Sequence, residues 1–222
     1  MITISEPAMQ PTLDKVDTSA LRDKKRKNNV DLADHLARVL QKPLKLQNRW
    51  CFWHNYYIGP GCTVEEYNAQ LHNLCTIGTV QEFWSWYNHL PAVNELRPRS
   101  SYHLMKEGIR PLWEDEANEN GGNWTIKVSN KDTSYVWLEL LLAVIGEQFS
   151  TTTNDEICGV TVSIRADGNN CVEIWNKNVQ GDTESLLQQT CMMIPMAQVQ
   201  GTPSYKVHKE EGDFKTDFKH RR

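Results

Sequence analysis

The segment with the clearest chemical potential is a tryptophan followed directly by three carboxylates. Trp113 precedes residues 114–116, Glu-Asp-Glu, and the pair Gly121-Gly122 lies a few positions further on. A hydrophobic core excludes such a cluster, because burying ionised carboxylates without partners is costly. An indole face and a carboxylate together suit a flat, positively charged ring, which stacks on the indole and donates hydrogen bonds to the carboxylate. We therefore interpret Trp113 and Glu114 as a candidate site for a cationic aromatic ligand.

The overall charge argues against a general nucleic-acid surface. The chain has 222 residues, a formal net charge of −4 and a pI near 6.0. Proteins that follow a nucleic-acid backbone need positive charge to displace counterions, so broad tracking of phosphates is disfavoured. A nucleobase that is itself cationic removes this difficulty. The eight tryptophans of the chain agree with a stacking function, although packing in the core is the alternative for each of them.

Composition divides the chain into one folded domain and two tails. Residues 1–40 and 210–222 are rich in charge and poor in large apolar side chains, so we expect both to be disordered. The domain between them, residues 41–209, is long enough to form one core. The basic run at residues 24–27 is either a nuclear import signal or a solvated charge cluster.

No segment predicts insertion into a membrane or secretion. The longest apolar run, residues 140–145, is too short to span a bilayer, and the first residues lack the pattern of a secretory signal. We expect a monomeric, cytoplasmic protein without membrane partners, which also enters the nucleus if the basic run at residues 24–27 is an import signal.

The cysteines have no spacing typical of a metal site or a redox motif. No CxxC pair occurs, none combines with histidine at zinc-binding spacing, and a reducing compartment disfavours disulfides. We interpret all six as small buried hydrophobic residues and expect neither a metal nor a cofactor. They are Cys51, Cys62, Cys75, Cys158, Cys171 and Cys191.

The hydrophobic pattern predicts an α+β fold. Four runs rich in aromatic and β-branched residues read as strands, namely NRWCFWHN, WTIKVS, VTVSIRA and CVEIWNK. Three helices are predicted at residues 80–90, 135–145 and 184–194, the first opened by the capping pair Thr79 and Glu82. Alternating strands between helices favour a mainly antiparallel sheet with the helices on one side.

The first two predicted helices carry more apolar surface than one core contact can cover. At 100° per residue, Trp84 and Trp86 lie at opposite edges of the first apolar arc, so one edge should be partly exposed. In the second helix, Tyr135, Leu138 and Leu142 form a stripe apart from the other apolar residues. An exposed apolar stripe indicates a partner site, and coverage by a tail or a loop is the alternative.

Six segments in order resemble the translation initiation factor 4E family, which binds the 7-methylguanosine cap of messenger RNA. The resemblance covers residues 43–209 and implies a curved antiparallel sheet with three helices on its convex face. The segments are QNRWCFW at 47–53, TVQEFWSWYNH at 79–89, LMKEGIRPLWEDEANENGGNW at 104–124, VWLELLLAVIGEQF at 136–149, CGVTVSIRA at 158–166 and EIWNK at 173–177.

The resemblance implies a role for each residue of the cap site. Trp113 would form one side of an aromatic sandwich, and Glu114 would accept hydrogen bonds from guanine N1–H and its 2-amino group. Trp175 would contact the N7 methyl group, and Arg165 would meet the phosphates. Methylation makes the base cationic, so that stacking and hydrogen bonding strengthen together.

The chain departs from the main class of the family at the opposing side of the sandwich. The matching position holds Tyr67 where that class has tryptophan, and the insertion HNYYIGPGCTVEEY precedes it. Both features resemble the 4E-homologous-protein and novel cap-binding subclass. A phenol is the weaker cation–π partner, so lower cap affinity is expected. The family lysines after Arg165 are missing, and Lys177 or lysines of the C-terminal tail are the alternatives for phosphate contact.

The resemblance also implies a partner site on the convex face. It would accept a helical peptide of a repressor or scaffold protein that carries a Tyr-x4-Leu-apolar motif. The matching residues are Pro43, Val80, Trp84, Leu138, Glu139 and Leu142.

Several functions follow from these observations. The first is a cap-binding regulator of translation, a repressor-type competitor of the main initiation factor. The alternatives are a productive initiation factor for a subset of messages and an interaction module with a weakened cap pocket. An enzyme that hydrolyses caps or nucleotides is disfavoured, since the sequence contains no Walker loop, no HExxH and no glutamate cluster fit to hold magnesium.

Overall fold

A computed structural model describes residues 42–59, 63–151, 155–194 and 198–209. The two predicted tails and Cys62 lie outside these ranges. The chain divides into a unit Met1–Pro43, almost wholly outside them, and a unit Leu44–Arg222, to which all of the following elements belong.

Seven antiparallel strands form one sheet in the order β2-β1-β3-β5-β6-β4-β7. Consecutive side chains of each strand point to opposite faces, so the sheet has one face packed against helices and one open face. The predicted mainly antiparallel sheet is thus confirmed. The strands are β1 Lys45–Tyr56, β2 His72–Thr79, β3 Ser100–Lys106, β4 Gly122–Ser129, β5 Ile157–Ser163, β6 Asn169–Asn176 and β7 Val199–Val207.

The described residues form four α-helices, one more than the three predicted. The additional helix is α1, in which Thr63 and Glu66 make a capping box around a single short run of seven residues. It has no long apolar stripe, so its sequence read as part of an insertion. The helices are α1 Val64–Gln70, α2 Val80–His89, α3 Asn130–Ile145 and α4 Thr183–Met193, and a 3₁₀ turn covers Val93–Glu95.

The predicted helix boundaries hold for α2 and α4 and fail at the start of α3. Ser129 is the N-cap of α3, and its hydroxyl donates to Asp132 (2.6 Å). The helix therefore begins five residues before the predicted Tyr135, because its first turn is polar and lacks the apolar period. Gly146 ends it as predicted.

The main core lies between the sheet and the helical layer. It is built from alternate residues of six of the strands and from α2, α3 and α4, whereas no described residue of α1 belongs to it. The core residues with at most 1% of their surface exposed include Trp50, Phe52, Phe83, Leu104, Ile126, Leu140 and Ile174.

The apolar stripes predicted to be exposed are confirmed. Trp84 and Trp86 of α2 are 38% and 40% exposed, and Tyr135 of α3 is 47% exposed. Both edges of the α2 arc reach solvent, because the core contacts its centre, where Phe83 is fully buried. None of the helices in the described ranges has the length and apolar character needed to cross a membrane.

Candidate functional site

A small aromatic cluster on the open face is the centre of the candidate site. Met105 of β3, Cys158 of β5 and Trp175 of β6 are buried there, and Trp53 and Trp113 pack against them. Trp175 is 3% exposed, and its indole N–H has no hydrogen-bond partner among the described residues. The structure therefore brings together two predicted ligand residues, Trp113 and Trp175, that are distant in sequence.

The loop between β3 and β4 is held in shape by the side chains of Asp115 and Asn118, for which the sequence indicated no such role. Asp115 accepts from the backbone N–H groups of Arg110 (3.0 Å) and Ala117 (3.0 Å). The fully buried Asn118 donates from Nδ2 to the carbonyl oxygens of Arg110 and Leu112 (2.8 Å each). The central carboxylate of the acidic cluster thus stabilises the loop that carries Trp113.

Glu114, by contrast, remains available to a ligand. It is exposed, and its carboxylate has neither a hydrogen bond nor an ion pair with any residue of the described chain. The acidic cluster therefore divides by role: Asp115 bonds the backbone of its own loop, while Glu114, the residue after Trp113, keeps its carboxylate exposed to solvent.

The end of β7 covers part of the Trp113 indole. His208 stacks on Trp113 with ring centroids 6.3 Å apart and lies 4.8 Å from Trp175. Its two ring nitrogens lie 2.8 Å from the Asn118 carbonyl oxygen and 3.2 Å from Asn123 Oδ1. Lys206 places Nζ 4.2 Å from the Trp113 ring centroid, a cation–π contact. The tryptophan is thus already engaged by an aromatic and a cationic side chain.

Burial makes His208 neutral and gives the fold a pH dependence. Burial lowers the pKa of His208 from 6.5 to about 4, and on the same face burial lowers the pKa of His103 to about 3. Between about pH 6.5 and 4 the unfolded chain consequently binds more protons than the folded chain. The free energy of unfolding therefore falls as pH falls, by up to about 1.4 kcal/mol per pH unit for each histidine.

Urea unfolding at pH 7.5 and pH 5 checks this prediction. We expect wild type to lose stability between the two values and His208→Asn to lose less. His89→Asn, at the exposed end of α2, is the control and should behave as wild type does. An equal loss in wild type and His208→Asn contradicts the prediction for His208.

Tyr67 lies on α1, and the structure joins this helix to the Trp113 loop by a hydrogen bond. Arg110 donates from Nη2 to Oδ1 of Asn68, the residue after Tyr67 (3.2 Å). This bond places the helix that carries Tyr67 next to the loop that carries Trp113.

The sequence predicts that Arg165 lies within a strand. In the structure β5 ends at Ser163, and Arg165 lies just beyond it. Asn170 Oδ1 accepts from its backbone N–H (2.9 Å), and Gly168 N–H donates to its carbonyl oxygen (3.2 Å), so a turn replaces the strand. Lys177, the alternative phosphate ligand, forms an ion pair with Glu156 (2.9 Å). That pair directs the lysine to Glu156 and away from a ligand.

The predicted partner residues lie on α2, α3 and the chain that precedes β1. Val80, Leu138, Glu139 and Leu142 are partly buried, Trp84 is more exposed, and Pro43 is exposed. The Leu44 carbonyl oxygen accepts from the Val80 N–H (2.9 Å), which fixes the entry of the chain next to the start of α2. In the described part of the chain no group of three or more metal-ligating side chains occurs.

Comparison with known sequences gives a family match over most of the chain. Residues 45–222 match the family described as Eukaryotic initiation factor 4E. The chain is 33% identical over 166 residues to a eukaryotic translation initiation factor 4E of Dictyostelium discoideum, covering 74% of this chain and 64% of that protein, which is less than two thirds of its length. The factor 4E of Homo sapiens is 34% identical, with 77% of this chain and 75% of that protein covered.

Solved structures agree with the sequence matches. A complex of C. elegans eIF4E-3 with the 4E-binding protein Mextli and cap analog has a TM-score of 0.66 and 34% identity, covering 75% of this chain and 94% of that chain. A complex of Ascaris suum eIF4E-3 with m7G cap has a TM-score of 0.64 and 32% identity, covering 78% of this chain and 94% of that chain.

Proposed function

Since the chain belongs to the eukaryotic initiation factor 4E family, we propose that it binds the 7-methylguanosine cap of messenger RNA in the control of translation. One observation carries the proposal: Glu114 is an exposed carboxylate without a partner in the described chain, and it directly follows Trp113 in the sequence. This pair suits a ring that is both flat and cationic. It selects a cationic base over a neutral one more strongly than it selects one neutral base over another.

The methyl group at N7 provides selectivity through charge. A positively charged guanine is attracted to the Trp113 π face, and its N1–H and 2-amino groups become stronger donors to Glu114. Trp175 supplies an apolar contact for the methyl group at the buried end of the site. Arg165 contacts the phosphates of the cap.

Tyr67 of α1 supplies the opposing side of the sandwich. The hydrogen bond between Asn68 and Arg110 (3.2 Å) supports this role, because it already holds α1 next to the Trp113 loop. Tyrosine at this position supports the 4E-homologous-protein subclass. It also supports a lower cap affinity than two tryptophans would give, since the phenol ring offers a smaller stacking area.

The regulatory role is that of a competitor with the main cap-binding factor, exerted through a helical partner on the α2 and α3 surface. The exposed Trp84 supports a partner there, since aromatic side chains of this exposure are typical anchors of an interface. A productive initiation factor uses the same surface with a different partner, so the identity of the bound protein separates the two roles.

Titration of the tryptophan fluorescence with 7-methyl-GTP and with GTP tests cap binding. We expect saturable quenching by 7-methyl-GTP at concentrations at which GTP has little effect, and loss of the response in Trp113→Ala. Equal responses to the two nucleotides, or no response to either, would falsify the proposal and leave an interaction module.

The partner surface is tested by one substitution on each edge of α2. Trp84→Ala should weaken binding of a synthetic helical peptide with a Tyr-x4-Leu-apolar motif by at least about 20-fold, because the peptide loses a buried aromatic anchor. Trp86→Ala is the control, since Trp86 is equally exposed on the other edge and should change the affinity less than about threefold. Fluorescence anisotropy of a labelled peptide measures both. Equal losses of affinity in the two variants would mean that the peptide does not bind at the Trp84 edge of α2.

A further inference from the structure

The turn that carries Arg165 is tied to the first turn of α3 through one buried side chain, that of Asn170. We propose that Asn170 is a positioning residue, which fixes the backbone of Arg165 so that its guanidinium meets the phosphates of the nucleotide. The inference rests on the proposed function, in which Arg165 contacts those phosphates. It assigns a role in binding to a residue that acts only through Arg165.

The segment after β5 leaves the strand ladder and forms a tight turn. The last residue pair between β5 and β6 is Ser163 with Cys171. Beyond this pair the Gly168 N–H donates to the Arg165 carbonyl oxygen (3.2 Å). Gly168 has a φ of 75°, a left-handed conformation that glycine adopts without strain. The Arg165 N–H thus lies beyond the ladder and needs another acceptor.

Asn170 supplies this acceptor and engages both donors of its amide as well. Its Oδ1 accepts from the Arg165 N–H (2.9 Å), and its Nδ2 donates to Asn130 Oδ1 (3.2 Å) and to Thr133 Oγ1 (2.9 Å). Asn170 and Thr133 are fully buried. A buried amide group without a partner costs free energy, so these three bonds hold the side chain in one orientation.

The first turn of α3 provides a second, direct anchor for the same turn. The Asn130 N–H, at the start of the helix, donates to the Gly168 carbonyl oxygen (3.1 Å). The first N–H groups of a helix have no partner within it, and here the turn provides one. Because α3 is itself packed in the main core, the turn is held at two points, directly at Gly168 and through Asn170 at Arg165.

Only the backbone of Arg165 is fixed, and its guanidinium remains available. Ile164 packs in the main core, so the alternation of side chains directs Arg165 toward the open face. In the described part of the chain no hydrogen bond or ion pair engages the guanidinium. The carboxylate of Asp167 accepts from the N–H and Nδ2 of Asn169 (3.0 and 3.3 Å). A fixed backbone lowers the ordering cost that an arginine pays when it meets a phosphate.

Binding of 7-methyl-GTP and of 7-methylguanosine, which has no phosphate, measures the phosphate contribution as the ratio of the two affinities. We expect Asn170→Ala to weaken binding of 7-methyl-GTP about fivefold and to leave 7-methylguanosine within about twofold of wild type, because Arg165 keeps its charge but loses its fixed position. Arg165→Gln should lower the ratio about tenfold. The double variant should lose no more than Arg165→Gln alone, since the two residues act as one unit.

A second set of variants separates this effect from stability. Thr133→Val removes one acceptor of Asn170 with little change of shape and should weaken 7-methyl-GTP binding about threefold, whereas Thr133→Ser keeps the hydroxyl and should behave as wild type. Thr190→Val is the matched control. Thr190 is also fully buried, and like Thr133 it donates to the carbonyl oxygen four residues earlier (2.8 Å each). Its loss should lower the stability in urea comparably and leave both affinities unchanged.

The outcomes distinguish this inference from the proposed function. Equal losses for 7-methyl-GTP and 7-methylguanosine in Asn170→Ala, or the same loss in the Arg165→Gln background as in wild type, overturn the positioning role. If Asn170→Ala does not fold, a Thr133→Val variant with wild-type affinity overturns it. If GTP binds as tightly as 7-methyl-GTP and still depends on Asn170, the cap proposal fails and the positioning role stands. Binding of no nucleotide at all overturns both.

Discussion

Glu114→Ala is expected to reduce the affinity for 7-methyl-GTP at least about 100-fold, the largest effect predicted for a single side chain of the site. Two hydrogen bonds to a charged acceptor contribute about 1.5–3 kcal/mol each, and every 1.4 kcal/mol corresponds to about tenfold in affinity. Because Glu114 is exposed and has no partner in the described chain, its removal should not change the free energy of unfolding.

Three variants make this measurement specific. Glu114→Gln keeps the shape of the side chain but presents an NH₂ group to a guanine donor, so we expect nearly the same loss as with alanine. Glu116→Ala removes an exposed carboxylate two positions away and should change the affinity less than about threefold, as expected for a solvated charge. Similar losses of affinity in Glu114→Ala and Glu116→Ala would mean that the ligand is attracted by the local negative charge and forms no specific hydrogen bonds with Glu114.

Gly121→Ala is expected to lower the free energy of unfolding by about 3 kcal/mol, the cost of overpacking against an atom that cannot move. A Cβ at this position would overlap the carbonyl oxygen of Asn176 and lie 2.8 Å from the carbonyl carbon of Lys177. Gly121 also accepts from the His208 N–H (3.0 Å). The displaced backbone should therefore release the end of β7 and weaken binding of 7-methyl-GTP as well.

Gly78→Ala is the matched control for this prediction. A Cβ there would meet only the Arg49 side chain, with Cγ at 3.3 Å, and a flexible side chain can move away. We expect a change below about 1 kcal/mol. Urea denaturation of both variants measures the difference. A Gly121→Ala variant as stable as Gly78→Ala would contradict the close approach of the loop to β6.

The family, the sheet type and the helices α2, α3 and α4 could be predicted because their signals are local. The capping pair Thr79 and Glu82 precedes α2, where the Thr79 hydroxyl accepts from the Glu82 N–H (3.1 Å). The resemblance to the initiation factor 4E family is confirmed at family level, and the family match also confirms the expectation that the chain is not an enzyme.

Three strands lacked a usable signal. β2, β3 and β7 are rich in Ser, Thr, Gly, Lys and His, and β2 and β7 form the two edges of the sheet. Edge strands often carry charged residues or proline, which hinder pairing with other chains and interrupt the apolar alternation. The contact of Lys206 and His208 with Trp113 could not be foreseen, since it depends on β7 pairing with β4. The alternation in SYKVH at residues 204–208 was the one available clue.

The sequence by itself determined which residues could take part in the site, because an indole, a carboxylate and a guanidinium have their chemistry wherever they lie. Only the tertiary structure decided how they are used. It committed Asp115 to the loop, left Glu114 without a partner in the described chain, and set His208 against Trp113 and Trp175. The physical reason is that hydrogen bonding and burial depend on neighbours that the sheet brings together from distant parts of the chain.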